Sequence, residues 1–357
     1  MASVREIAKQ VGVSAATVSR ALRGHPDIST GTRQRIVMAA NKAGYASPRM
    51  GAMDSEPGVA IGYVSTTPSP VLSLYDCMLL NGTRRGLRGV QGLTGTGLDV
   101  QFVDLHRDKP VSESYTAFFT RRRLQGVVVQ VDADHRGICR AITDEGYPCV
   151  ALAEEFPEPD VSYVCCDASR EIGMMMDHLI QLGHERIGLA VQRPDDHDHH
   201  NRISGYEQAL REHGIEPDPS LIVRIAPSRE GGGHAINELM SRREPPTAVF
   251  VADPFPAIGA LCRAHEIGLE VPGQLSIVGF DDGQMRRQVY PLLTAVCQPT
   301  EEIGSLAAQW LSKRILGEVQ EPLRRVLPAS FEVNQTTASP PAKPVRIEPS
   351  GQRMRTG

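Results

Sequence analysis

The chain has 357 residues, 41% hydrophobic and 22% charged, which is the composition of an ordinary globular protein. No apolar run approaches the roughly 20 residues that span a bilayer, and the N-terminus MASVREIAKQ lacks the apolar core of a signal peptide. These features argue against a membrane or secreted protein and predict a cytoplasmic one. The net charge of −4 is uneven: residues 1–50 carry a net +6 and the rest −10, which concentrates attraction for phosphates at the N-terminus.

The N-terminal segment has the pattern of three short helices. Apolar residues recur at helical spacing through residues 4–10, and Gly12 supplies a tight turn. Ser14 is a natural N-cap for a second helix, Ala15–Leu22, and Ser29 caps a third. Two short helices joined by a glycine-containing turn are typical of a helix-turn-helix, whose second helix enters the major groove of DNA.

The second helix divides into an apolar side and a side available to DNA. Val18, Ala21 and Leu22 are expected to pack against the other two helices. On the opposite side, Arg20 can donate two hydrogen bonds to guanine, and an alanine methyl can contact the thymine methyl. Hydroxyl side chains and helix N-termini suit phosphates. The predicted DNA-binding residues are Ser14, Ala15, Ala16, Thr17, Ser19, Arg20, Arg23, Ser29, Thr32 and Met53. On pattern alone, a generic three-helix bundle with a basic surface remains the alternative.

The rest of the chain changes character. Residues 46–58 contain Gly and Pro without a sustained apolar pattern, which indicates a linker or a marginal helix. From Val59, short apolar strands alternate with helical stretches in two successive sets. This alternation is the signature of parallel sheets covered on both faces, so we expect two similar α/β lobes. The seven scattered cysteines form no C-x-x-C pair and fit buried apolar positions better than disulfides or metal ligands.

Several long motifs resemble one family. Residues 4–45, VREIAKQVGVSAATVSRALRGHPDISTGTRQRIVMAANKAGY, resemble the headpiece of the lactose repressor (LacI) family nearly position by position. The segments HLIQLGHERIGLAV, RISGYEQALREHGI, PTAVFVADPFPAIGALCRAHEIGLEVPGQLSIVGFDD and YPLLTAVCQPTEEIGSLAAQWL are similar to that family's effector-binding core. The resemblance implies a three-helix headpiece, a hinge helix and a two-lobed α/β core that resembles periplasmic binding proteins and dimerises.

The resemblance also implies domain boundaries. We expect a headpiece at 1–49, a hinge at 50–58, an effector-binding and dimerisation domain at 59–338, and a Pro-rich, disordered tail at 339–357. The chain should cross between the lobes three times. The N-lobe would then comprise about 59–161 plus 291–325, and the C-lobe about 162–290 plus 326–338.

The hinge departs from the family pattern. The family usually has an A-R-x-L stretch there, whose Leu wedges into a minor-groove step of the operator. Here Pro48 comes one residue late and no Leu is present, so Met53 is the first candidate wedge and Met50 the second. Either the hinge helix forms with Met as the wedge, which we favour, or a flexible arm replaces it. The tail lacks the Leu heptads that make some relatives tetramers, which favours a homodimer on a pseudo-palindromic operator.

An effector site is expected outside the carboxyl ends of the strands, where open α/β folds bind ligands. The resemblance implies that Arg202, Asp253 and Asp281 contact the effector, and such side chains suit vicinal hydroxyls. The predicted effector-binding residues are Ser65, Tyr75, Asp132, Arg202, Asp253, Phe255 and Asp281. The structural alternatives are an Arg202–Asp281 ion pair, helix caps at Asp132 and Asp253, and core packing of the aromatic side chains.

The loop PDDHDHH at 194–200 raises a metal site as an alternative. No second cluster supplies further ligands, so a solvated lip of the effector cleft is favoured, with His199 or His200 contacting the ligand or sensing pH. The sequence predicts no metal and no cofactor.

These observations together predict a transcription regulator, in the form of a repressor, that acts in the cytoplasm at the nucleoid. Its affinity for double-stranded operator DNA would be controlled by a small effector. A sugar is favoured because it is the family's commonest effector class, and a nucleobase or another metabolite is the alternative. A ligand-binding protein or an enzyme on the same core is more distant, since the chain has neither a G-x-S-x-G nor a Walker loop. No membrane partner is expected.

Overall fold

The structure is a computed structural model, described here for residues 4–22, 28–29, 31–32, 35–36, 39, 60–66, 73–88, 99–131, 133–192 and 197–348. Its contacts divide the chain into two units, Met1–Glu56 and Pro57–Gly357. Among the helices of the described residues, none has the length and apolarity needed to cross a membrane. The predictions for Arg23, Asp132 and the hinge, including Met50 and Met53, fall outside the described residues.

The first unit is a small helical domain. It contains helix α1 (Val4–Val11) and helix α2 (Ala15–Leu22), and its described residues share one core. Gly12 makes the turn with a φ of +74°. That core consists of Ile7, Ala8, Val11, Val18, Ala21, Ile36 and Ala39. The apolar residues that recur at helical spacing in the sequence therefore face inward, as expected for a helix-turn-helix.

The second unit contains two sheets, each with six strands among the described residues. The first sheet is entirely parallel, in the order β11-β5-β4-β3-β1-β2. Its strands are β1 Ala60–Ser65, β2 Asp99–Asp104, β3 Gly126–Gln130, β4 Cys149–Leu152, β5 Tyr163–Asp167 and β11 Arg324–Pro328. Its helices are α3 Leu74–Arg88, α4 Leu105–Asp108, α5 Tyr115–Arg121, α6 Arg136–Asp144 and α11 Thr300–Leu316.

The second sheet has the order β12-β10-β9-β8-β6-β7, with only β12 antiparallel in the described part. Its strands are β6 Ile187–Gln192, β7 Ile222–Ile225, β8 Ala248–Val251, β9 Ser276–Asp281, β10 Thr294–Cys297 and β12 Ser330–Glu332. Its helices are α7 Ser169–Gln181, α8 His197–Glu212, α9 Arg229–Met240 and α10 Pro254–Glu266.

Helices cover both faces of each sheet, so that the inner strands are buried, whereas the edge strand β11 is largely exposed. Four apolar clusters, two for each lobe, fill the spaces between sheet and helices. Glycines allow the closest helix contacts: a Cβ on Gly82 of α3 would lie 2.1 Å from the carbonyl oxygen of Glu301 in α11. The predicted fold class, a helix-turn-helix headpiece followed by a two-lobed α/β core, is confirmed.

The described chain crosses between the lobes three times, but later in sequence than expected. The first lobe continues to Asp167 instead of residue 161, because β5 pairs with β4 and β11. Strand β10, expected in the N-lobe, pairs with β9 of the second sheet. Strand β11 belongs wholly to the first lobe, so the last crossing falls at Ala329. The predicted boundaries are wrong by several residues because apolar runs of this kind do not specify which sheet a strand joins.

The prediction of a disordered tail is wrong for residues 339–348. Ile347 is fully buried in the core of the second lobe, and its backbone N–H donates to the carbonyl oxygen of Met240 over 3.0 Å. Val345 packs against the same core, and Arg346 donates to the carbonyl oxygen of Ser241. A few apolar side chains thus attach a segment whose overall composition is polar and Pro-rich.

Candidate functional site

The start of α2 is fixed by its own hydroxyl side chains. The Oγ of Ser14 accepts from the backbone N–H of Thr17 over 3.0 Å and lies 2.7 Å from the hydroxyl oxygen of Thr17. Ser29 makes the same type of contact with Thr32. Both serines are therefore N-caps, as predicted, and a helix N-terminus with exposed hydroxyls is suited to a phosphate.

The outer side of α2 presents the residues that the sequence assigns to bases. Arg20 and Ala16 are exposed, whereas Val18 is fully buried against the other helices. Ala15 differs from expectation because it packs partly against the core. The side chain of Ser19 lies outside the described part of the helix. A long exposed guanidinium next to a small methyl group is a surface that can enter a groove and contact base edges.

In the second unit, the polar residues that were expected at strand ends lie at the carboxyl edges of the two sheets. Ser65 ends β1 and lies in register with Asp104 and Gln130 at the ends of the two neighbouring strands. In the second sheet, Asp253 follows β8 and Asp281 ends β9. The two lobes meet near this edge, since a Cβ on Gly283 would lie 2.9 Å from the terminal methyl of Met78 in α3.

A buried charged cluster occupies the end of β8. Nη1 of Arg202 donates to Oδ1 of Asp253 over 3.1 Å, and Nε2 of His199 donates to the same oxygen over 3.0 Å. The guanidinium of Arg202 also lies 3.9 Å from the ring centroid of Phe280 and donates to the carbonyl oxygen of Ala252. Three ionisable side chains are thus brought together from α8 and the end of β8, at a position where α/β proteins bind ligands.

Asp253 stands at the N-cap position of α10 but does not act as a cap. Its side chain makes no capping hydrogen bond, and the next residue is a proline without an N–H. The structural alternative for this aspartate, a helix cap, is therefore wrong. Its carboxylate is directed to the cluster instead.

Asp281 belongs to a second network. Its Oδ2 accepts from Nη1 of Arg286 over 2.7 Å, and its Oδ1 accepts from the backbone N–H of Gly283 over 3.2 Å. The same guanidinium donates to both carboxylate oxygens of Glu332, over 2.8 and 2.6 Å. The hydrogen bond from Arg286 holds the pKa of Glu332 below its ordinary value, and the bond to Glu332 raises the pKa of Arg286. The expected alternative, an Arg202–Asp281 pair, does not form: each residue has a different partner.

The remaining predicted residues are spread around the same edge. Ser65 is buried at the end of β1, and Tyr75 packs partly against the core of the first lobe. Phe255 is 43% exposed in the first turn of α10. Phe156 is a core residue of the first lobe. Of these aromatics, only Phe255 is exposed enough to offer a ring face to a ligand.

Sequence reasoning missed several polar residues at this edge. Arg286 and Glu332 gave no local signal, because each is one charge among many. The hydrogen bond from Nε2 of His106 to the carbonyl oxygen of Thr66, 2.6 Å long, was also missed. His199, which the sequence offered with His200 as a ligand contact or pH sensor in a solvated loop, lies instead buried in α8 beside Asp253. The described residues hold no group of three His, Cys, Asp or Glu side chains that could bind a metal ion.

Comparisons with known proteins agree with this architecture. The family model described as "Bacterial regulatory proteins, lacI family" matches residues 3–47, and the model of a periplasmic binding protein-like domain matches residues 176–337. The repressor CytR of Escherichia coli K12 is 30% identical over 322 residues, which cover 89% of this chain and 91% of that protein.

Two solved structures share the fold at comparable identity. The regulator CelR in complex with cellobiose is 25% identical with a TM-score of 0.64, and the match covers 94% of this chain and all of that one. A LacI-family regulator from Enterococcus faecium with bound ribose is 26% identical with a TM-score of 0.66, and the match covers 78% of this chain and 99% of that one.

Proposed function

Because the chain belongs to the LacI family of bacterial regulatory proteins, it is a DNA-binding transcription regulator, and we propose that it is a repressor controlled by a sugar. The sugar would bind at the carboxyl ends of the two sheets. The buried cluster of Arg202, Asp253 and His199 carries this proposal, since buried ionisable groups at a strand edge are characteristic of ligand sites.

Sugar is favoured over a nucleobase as the effector by the matched structures. The regulators similar to this chain include one in complex with cellobiose and one with bound ribose. A carboxylate beside a guanidinium also suits the hydroxyl groups of a sugar, which both donate and accept hydrogen bonds. The proposal assigns the chain no catalytic reaction.

The DNA partner is a double-stranded, pseudo-palindromic operator, bound by a homodimer in the cytoplasm at the nucleoid. Two-fold symmetry places one headpiece on each half-site, with the half-sites about one helical turn apart. The protein has one conformation that binds the operator and one that does not. The effector changes operator affinity only if it binds these two conformations with different affinities.

Operator selection tests the DNA half of the proposal. Sequences bound by the full chain are enriched from a random duplex library, and the best duplex is titrated with wild-type protein, Arg20→Ala and Lys9→Ala. Loss of Arg20 should relax preference at one base position in each half-site, a discrimination of about 1–3 kcal/mol. Loss of exposed Lys9 should weaken binding evenly across sequences. An Arg20→Ala protein with full sequence preference would contradict the assignment.

Effector titration tests the other half. Operator binding is measured while monosaccharides, disaccharides, nucleosides and free nucleobases are added in turn. A shift of operator affinity by a sugar supports the proposal, and a shift only by nucleobases supports the alternative effector class. An affinity that no ligand of the cleft changes excludes effector control, while leaving the selected operator as evidence for DNA binding.

A further inference from the structure

The ion pair between Arg202 and Asp253 uses one carboxylate oxygen only. Nη1 of Arg202 lies 3.1 Å from Oδ1 of Asp253. Oδ2 of the same carboxylate is buried and, within the described part of the chain, accepts no hydrogen bond. A guanidinium and a carboxylate frequently pair through two parallel hydrogen bonds, one to each oxygen. This pair departs from that arrangement and leaves a buried oxygen unpaired, which is costly.

His199 accounts for the departure. Nε2 of His199 donates to Oδ1 of Asp253 over 3.0 Å, and His199 is 7% exposed. His199 and Arg202 are three residues apart in α8, so their side chains lie on one face of the helix and converge on Oδ1. The torsion that turns a carboxylate about its Cβ–Cγ bond is soft, and a single hydrogen bond would leave it free to rotate. Two donors on the same oxygen hold the carboxylate in one orientation.

Arg202 is fixed independently of His199. Its guanidinium lies 3.9 Å from the ring centroid of Phe280 and donates to the carbonyl oxygen of Ala252. Arg202 would therefore stay in place if His199 were lost, and Asp253 could turn to offer it both oxygens. Such a bidentate pair would occupy Oδ2. His199 is thus the residue that keeps the second oxygen unpaired.

We propose that His199 is a positioning residue: by holding Oδ1, it prevents Asp253 from forming a bidentate pair with Arg202 and keeps Oδ2 available to an effector. This inference rests on the proposed function, in which the cluster of Arg202, Asp253 and His199 belongs to the effector site. His199 acts through Asp253. Its loss should lower effector affinity because the carboxylate turns away, even though Asp253 itself is still present.

A crystal structure of ligand-free His199→Leu tests the geometry directly. Leucine keeps much of the apolar bulk of the ring and donates no hydrogen bond. Oδ2 of Asp253 should then move to within about 3.2 Å of a guanidinium nitrogen of Arg202. His199→Gln, whose amide N–H can donate from nearly the position of Nε2, should keep the arrangement of the wild type. A carboxylate that stays in place in His199→Leu would overturn the proposal.

Calorimetry with the full chain tests the consequence for binding. The probes are the monosaccharides, disaccharides, nucleosides and nucleobases of the effector titration, and the one that binds wild type most tightly is used with the variants. It should bind His199→Leu at least about tenfold more weakly, as expected when a hydrogen bond to a buried charged group is lost. His199→Gln should recover most of the affinity. In an Asp253→Asn background, where no bidentate ion pair can form, His199→Leu should change the affinity by less than about twofold.

His213→Leu is the matched control. Nε2 of His213 also contacts an aspartate, Asp177, over 2.7 Å, but it lies just beyond the opposite end of α8 and its side chain is 35% exposed. This variant should bind the probe as the wild type does. A purely structural role of His199 would lower affinity equally in both Asp253 backgrounds and leave His199→Gln no better than His199→Leu, which would overturn the proposal. Thermal unfolding verifies that each variant is folded.

Two results separate the role of His199 from effector control itself. A probe that binds wild type and His199→Leu equally well overturns the role of His199 and leaves the proposed function in place. If no probe binds wild type or alters operator affinity, effector control fails. The crystal structure of His199→Leu then decides by itself whether His199 sets the orientation of Asp253.

Discussion

The Arg286 network leads to a quantitative prediction for folding stability. Arg286→Met removes the buried cation that serves Asp281 and Glu332, whose side chains are 1% and 29% exposed. Removing one partner of a buried ion pair costs about 3–5 kcal/mol, because the other charge stays buried without compensation. Water can solvate Glu332 in part, so most of the loss comes from Asp281 and we expect about 3 kcal/mol. Tm should fall by about 6–12 °C if the core unfolds as one unit.

The assay is urea unfolding and thermal unfolding of the full chain at neutral pH. Arg287→Met is the matched control, because Arg287 contacts the same Glu332 over 3.2 Å with a side chain that is 56% exposed. It should change the free energy of unfolding by less than about 1 kcal/mol. The double variant with Asp281→Asn should be more stable than Arg286→Met alone, since it removes the uncompensated charge. Equal stability of the two arginine variants would refute the reasoning.

Three further predictions concern the second lobe. Burial lowers the pKa of His184, which bonds with Thr247 and the carbonyl oxygen of Ala338, so the unfolded state binds the proton more readily. The contribution of His184 to the free energy of unfolding should therefore be complete above about pH 6.5, the pKa of a histidine in the unfolded chain. Below that pH it should be lost progressively, by at most about 1.4 kcal/mol at pH 5.5. Urea unfolding at several pH values should show this loss, and His184→Gln should reduce it. Gly232→Ala would place a Cβ 1.8 Å from the carbonyl oxygen of Pro256 in α10, so it should cost at least about 2 kcal/mol of unfolding free energy. Gly233→Ala is the control: its Cβ would lie 3.6 Å from the nearest atom, so the same urea unfolding assay should find it neutral or stabilising. Ile347→Ala should cost about 2–4 kcal/mol by thermal unfolding, against less than about 0.5 kcal/mol for exposed Lys343→Ala.

Local signals explain why the headpiece and the strands could be predicted from sequence. Ser14 and Ser29 cap helices through hydroxyls that act within three residues, so the signal and its effect lie in the same short segment. The buried strands are continuous apolar runs, which are visible as such. The lobe that β5 or β10 joins depends on its neighbours in the sheet, and these come from segments far away in sequence.

The tail shows where the composition of a segment fails to predict its structure. Residues 339–348 are rich in proline and poor in apolar side chains, which is the composition of a disordered segment. One isoleucine with a place in an existing core, together with a backbone hydrogen bond to Met240, is enough to attach them. Composition averages over a segment, whereas attachment depends on single contacts.

The candidate site has one feature that could be predicted from sequence and one that could not. Because topology places strand ends at one edge, the sequence could predict that Asp253 and Asp281 lie there. Their partners could not be predicted, because Arg286 and Arg287 are adjacent and equally charged. The one that turns inward is the one that reaches both Asp281 and Glu332, and Glu332 lies 46 residues further along the chain. The resemblance therefore predicts the position of each carboxylate, but it does not predict the partners that the carboxylate has in this chain.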